Sequence, residues 1–166
     1  MITLKRCAVG LAATAMVLAA AGCSKPAEEP PLLIGGAWVR TTDGAKDQKM
    51  TAMFGDISNP GSKTVKLMSA DCGDVAGKTE VHEMAMVDGK KVMRAVEGGV
   101  EVPSGSHLHL APGGFHVMLM MLKQELPVGS EVSCTLTFDN DQKLTVTAPV
   151  KKFTEEEESY HTHAPS

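Results

Sequence analysis

An all-β sandwich or barrel is the fold class predicted by three observations in the 166-residue sequence. Turn chemistry recurs at short intervals, at Asn59-Pro60-Gly61-Ser62, Asp88-Gly89, Pro103-Ser104-Gly105, Pro112-Gly113-Gly114, Pro127-Val128-Gly129 and Asp139-Asn140-Asp141. The runs between these turns are short, and several alternate apolar with polar residues, the period of a strand with one buried face. Outside the N-terminal segment no helical period of 3.6 and no internal repeat is found.

Taken in chain order, Met1 to Arg6 carries Lys5 and Arg6 and is followed by an apolar run to Gly22, the pattern of a secretory signal peptide over residues 1–22. That run is shorter than the ~20 residues that normally span a bilayer, and no second apolar run follows. Ala20-Ala21-Gly22-Cys23-Ser24 resembles the lipobox of bacterial lipoproteins, with Ala20 where the pattern prefers Leu. The resemblance implies lipidation at Cys23, against simple cleavage as the alternative, and either outcome places the chain outside the cytoplasm. Residues 23–32 contain Ser24-Lys25-Pro26-Ala27-Glu28-Glu29-Pro30-Pro31, a charged, proline-rich segment expected to act as an extended flexible linker. Residues 33–152 supply one domain of ordinary size. Residues 153–166 contain Glu155-Glu156-Glu157-Glu158, His161 and His163 and are read as an acidic, disordered tail.

The domain's opposite charges nearly balance, and the whole chain carries a net charge of −4. Without a basic surface to replace counterions, nucleic acid is not an expected partner. Cys7 is lost with the signal and Cys23 is claimed by lipid, leaving Cys72 and Cys134. An even number in an oxidising compartment permits one disulfide; two buried thiols are the alternative, and both readings stay open here.

Thr79 to Val96 is the most informative stretch. Asp88-Gly89 is a strong two-residue hairpin signal, because both central positions need positive φ. Counting outward, Val87 faces Lys90, Met86 faces Lys91, Ala85 faces Val92, Met84 faces Met93, and Glu83 faces Arg94 as an opposite-charge pair. The other face gathers His82, Met84, Met86 and Met93. In "GGFHVMLMML", His116, Met118 and Met120 point one way, while Val117, Leu119 and Met121 point the other. Met50, Met53, Met68 and Met121 are read as adaptable core filler. A core-facing set should not contain two histidines, however, so His82, Met84, Met93, His116 and Met118 are read as a metal site. Thioether sulfur selects Cu(I), and imidazole suits copper in either oxidation state; zinc would want thiolate or carboxylate, and calcium oxygen.

His82, then Met93, then His116-Val117-Met118 resembles the His…Met…His-x-Met signature of the periplasmic copper chaperones written PCu(A)C. The resemblance extends through "VHEMAMVDGKKVMRAVEGGVEVPSG" and "APGGFHVMLMMLKQELPVGSEVSCTLTF" and covers about Ile34 to Val150. It implies a cupredoxin-like Greek-key β-sandwich or barrel, with Cu(I) held by His82, Met93, His116 and Met118 and Met84 as accessory. It also implies delivery of copper to a periplasmic acceptor such as cytochrome c oxidase subunit II or another copper chaperone. The membrane would be met only through the lipid anchor, and no enzymatic activity is expected. His107-Leu108-His109 reads as a solvated surface pair, whereas His161 and His163 are accessory candidates for Cu(II), since nitrogen and oxygen ligands suit that ion. The rival readings are a periplasmic copper-sequestering or resistance protein, and a lipid-anchored structural β-domain without metal.

Overall fold

The computed structural model describes residues 29–153, which form ten β-strands and no helix. The strands are β1 (Leu33–Arg40), β2 (Met50–Asn59), β3 (Val65–Asp71), β4 (Ala76–Val87), β5 (Lys90–Ala95), β6 (Val100–Val102), β7 (Ser106–Leu110), β8 (His116–Leu122), β9 (Glu131–Phe138) and β10 (Lys143–Lys151). The signal segment, Cys23, the acidic run, His161 and His163 lie outside the described residues. Among the described residues no helix is long and apolar enough to cross a membrane.

Hydrogen bonding orders the strands β5-β4-β8-β2-β1-β10-β9-β3-β6, with β7 added beside β2. Neighbours β8–β2, β10–β1 and β9–β3 are distant in the chain, the pattern of Greek-key connections. β2 and β10 change partners along their length. The first half of β2 pairs β8 and its second half pairs β7. Most of β10 pairs β9 antiparallel, and its last two residues turn parallel to β1. A bulge between Gly35 and Trp38 bends β1 over β2. There Gly55 sits at φ 152°, where a Cβ would meet the Ala37 Cα at 3.0 Å, so the close approach needs glycine.

Alternation fills the core. Val39, Met53, Ile57, Leu67, Val117, Leu119, Val132 and Leu136 are fully buried, each contributing about 1.5–3 kcal/mol by leaving water. Cys72, just past β3, and Cys134 on β9 are joined in a disulfide inside this core, closing a loop of 62 residues.

Three expectations are corrected. Leu32, assigned to the flexible linker, is buried in the core, and Glu29 accepts hydrogen bonds from the Ser62 N–H and hydroxyl at 2.9 and 2.7 Å; the ordered domain starts before residue 33. Phe153, assigned to the tail, stacks 6.5 Å from Trp38 with the Arg40 guanidinium 5.1 Å over its ring. Of the four methionines read as core filler, only Met53 is buried, while Met50, Met68 and Met121 are exposed. Met121 leaves the Val117 and Leu119 face because its φ is 52°, which breaks alternation and turns Leu122 inward in its place.

A cross-link over a loop of this length is worth about 4 kcal/mol in the chain-entropy account. Replacing both Cys72 and Cys134 with Ala should preserve the far-ultraviolet circular dichroism spectrum and lower the unfolding free energy by about 2–5 kcal/mol in urea titrations; an unchanged midpoint would contradict the bridge.

Candidate metal centre

The site grows from the Asp88-Gly89 turn. Both residues have positive φ, 49° and 75°, as a type I′ hairpin requires. β4 and β5 therefore pair in the expected register, with Met84 opposite Met93 and Glu83 opposite Arg94. The Arg94 Nη2 donates to Glu83 Oε1 at 2.7 Å. On the other side of β4, His82 pairs with His116 and Glu80 with Met118 on β8. Because paired residues project to the same face of a sheet, His82, Met84, Met93, His116 and Met118 share one face of the β5-β4-β8 sheet. Met86 continues that face but is exposed toward the hairpin tip.

Met84, Met93, His116 and Met118 line a cleft of about 670 Å³ whose rim includes Pro112 and Gly113. The Met93 sulfur lies 3.3 Å from His116 Nε2. The His82 and His116 rings meet edge-on with centroids 5.9 Å apart. Phe54 supports His116 from below at 6.1 Å and packs in turn on Trp38. Met118 and His116 are buried, while Met93 is 46% exposed.

Hydrogen bonds fix which ring nitrogens face inward. His116 Nδ1 is 3.0 Å from the Gly114 carbonyl, which can only accept, so the proton sits on Nδ1 and Nε2 carries the lone pair toward Met93. His82 Nε2 is 3.0 Å from Glu80 Oε2, so its proton sits there and Nδ1 carries the lone pair. That Nδ1 is buried with no hydrogen-bond partner among the described residues. Tying the outer N–H of an imidazole to a carboxylate or carbonyl is how metal-binding histidines are oriented. Glu80 also meets the Lys78 ammonium at 2.7 Å, and its carboxyl is held below the ordinary value first by the His82 hydrogen bond and then by Lys78. Sequence reasoning did not single out Glu80; its signal was present as Glu-x-His, two residues apart and hence on one face of a strand.

Among the described residues no three His, Cys, Asp or Glu side chains converge as a metal cluster. An ion in this cleft would therefore meet imidazole and thioether, a soft and neutral donor set. His107 and His109 lie elsewhere, exposed on β7.

Burial lowers the His116 pKa below the ordinary histidine value; the Gly114 carbonyl opposes this and the His82 charge adds to it. The unfolded chain thus takes up this proton at higher pH than the folded one, and stability linked to His116 is present above the ordinary histidine value and lost as pH falls through and below it. An NMR titration of the His116 ring protons should give a midpoint below that of a model histidine; a midpoint at or above it would contradict the burial.

The chain and its fold have known relatives. The family model described as "Putative lipoprotein LpqE-like" matches residues 32–150. "Putative lipoprotein Lxx21020" of Leifsonia xyli subsp. xyli (strain CTCB07) is 36% identical over 152 residues, covering 92% of this chain and 89% of that protein. Among solved structures, the Cu(I) form of DR1885 from Deinococcus radiodurans is 30% identical, with a TM-score of 0.62 over 78% of this chain and 85% of that one. The copper-bound PCuAC domain from PmoF2 shares the fold at 21% identity, with a TM-score of 0.60 over 76% of this chain and 97% of that one. With a family model spanning nearly all of its described residues, the chain belongs to the LpqE-like family, and its domain is of the PCuAC type.

Proposed function

We propose that the protein is an extracytoplasmic copper chaperone that binds Cu(I) through His82, Met93, His116 and Met118, with Met84 as an accessory sulfur, and passes it to a copper acceptor. The observation that carries this reading is the pair of imidazoles whose outer nitrogens are taken by Glu80 and Gly114. Their inner nitrogens are left as donors, one orphaned and buried, the other against the Met93 sulfur. Thioether with neutral imidazole is the donor set that selects Cu(I). Relatives lend support: DR1885 is described in a Cu(I) form, and the PmoF2 domain as copper-bound.

Transfer follows from the same chemistry. Neutral ligands leave the full positive charge of the ion uncompensated, so an acceptor offering thiolate stabilises it more. The binuclear copper site of cytochrome c oxidase subunit II, or another copper chaperone, is the acceptor class this implies. The exposed part of Met93 gives an incoming ligand access to the ion. A blue-copper redox centre needs a cysteine ligand, and the two cysteines among the described residues are consumed by their disulfide. Lipidation at Cys23 would hold the chaperone at a bacterial membrane, facing the periplasm. His161 and His163 would give the tail affinity for Cu(II). A chain ending at Phe153, which keeps the ring packed on Trp38, should then lose Cu(II) stoichiometry in titrations, and unchanged uptake would remove the tail from the account.

Met93→Leu with Met118→Leu removes two sulfurs at nearly constant side-chain volume, so the fold should persist. Loss of a direct ligand should exceed the 10–100-fold effect of an outer-shell change. Anaerobic competition against a chromogenic chelator should therefore show Cu(I) affinity falling by more than about 100-fold. X-ray absorption at the copper edge should count both sulfur and nitrogen neighbours in the wild-type chain. Retained affinity, or a copper shell without sulfur, would overturn the reading.

A further inference from the structure

We infer that His107 and His109 on β7, oriented by Asp56 on β2, form a second metal site, for a borderline divalent cation with Cu(II) preferred. This site is separate from the thioether cleft and does not depend on the chaperone reading.

β7 alternates cleanly: Leu108 and Leu110 are buried in the core, whereas His107 and His109 are exposed. The two imidazoles lie on one face of the strand, their centroids 6.2 Å apart and their planes within 25°. Asp56 is the direct cross-strand partner of His109, and its Oδ1 lies 2.5 Å from His109 Nδ1. A carboxylate at that distance keeps the proton on Nδ1, so Nε2 carries the lone pair and points away from Asp56. This is the carboxylate–histidine orientation found behind metal ligands.

Metal–imidazole bonds of about 2.0–2.1 Å require the two donor nitrogens to come within roughly 4 Å of each other. Two near-parallel rings, two residues apart on a strand, reach this by modest side-chain rotation in open solvent. Because no group of three His, Cys, Asp or Glu side chains is placed to ligate there among the described residues, and Asp56 is engaged behind His109, water would complete the coordination, which makes the site exchangeable. Imidazole and water, without sulfur, favour Cu(II) over Ni(II) and Zn(II) in the usual order. Apart from the tail, the β domain would thus carry two copper sites sorted by oxidation state, a sulfur-rich one on the β5-β4-β8 face and a nitrogen-and-oxygen one on β7.

The test uses the full-length chain carrying His161→Ala and His163→Ala, so that tail imidazoles do not contribute. Cu(II) is titrated alone and followed by electron paramagnetic resonance, with Zn(II) as a diamagnetic probe in NMR. Adding His107→Ala and His109→Ala should remove one Cu(II) equivalent and its nitrogen hyperfine pattern. Asp56→Asn should keep the stoichiometry and weaken Cu(II) binding by about 10-fold or more. Cu(I) affinity by chelator competition should stay unchanged in both variants, unlike in the Met93 and Met118 double variant. Zn(II) should shift the His107 and His109 resonances. An unchanged Cu(II) titration and spectrum in the His107 and His109 variant, or Zn(II) shifts confined to His82 and His116, would overturn the proposal.

Discussion

Two imidazoles stand face to edge across neighbouring strands, and each donates its outer N–H, His82 to Glu80 and His116 to the Gly114 carbonyl. That arrangement governs the rest of the domain. An unsatisfied buried nitrogen such as His82 Nδ1 costs about 1–3 kcal/mol, and burial makes charging His116 unfavourable as well. A loosely built protein would relax by rotating the rings toward solvent. Here the rings stay because the register on both sides of β4 is set elsewhere, by the type I′ turn on one side and by the buried Val117 and Leu119 of β8 on the other.

The two faces of β8 divide the labour. Val117 and Leu119 lock it into the hydrophobic core, and His116 and Met118 line the cleft on the opposite face. The same strand therefore transmits the rigidity of the core to the donor atoms, which is what a preorganised site requires. Away from the cleft, the disulfide fastens the residue just past β3 to β9. Among the described residues the cysteine sulfurs are covalently closed inside the core, whereas the sulfurs of Met84, Met93 and Met118 remain free thioethers at the cleft.

Much of this was legible before any coordinates. Asp88-Gly89 specified a turn, the turn specified the register, and the register put His82, Met84 and Met93 on one face because side chains alternate with period two. Those are local rules, and they held for β4 and β5. What was not legible depends on contacts between remote parts of the chain. Leu32 is core because it meets strands far along the sequence, although its neighbours read as linker. Met121 is exposed because its backbone adopts a positive φ opposite Gly77, a departure that alternation cannot foresee. Met50 and Met68 were misjudged because an apolar side chain carries no mark of which face it will occupy. Glu80 was overlooked because its role appears only when the ring of His82 is placed beside it.

Among the described residues β5 ends the sheet, with every one of its residues exposed and one row of backbone donors and acceptors without a neighbouring strand. Such an edge ordinarily invites another chain to add itself and start a fibre. Lys90, Lys91 and Arg94 stand along it, and electrostatic repulsion between identical edges discourages that self-templating. Met93 can consequently lie within reach of other molecules on an edge whose lysines disfavour strand addition by an identical copy.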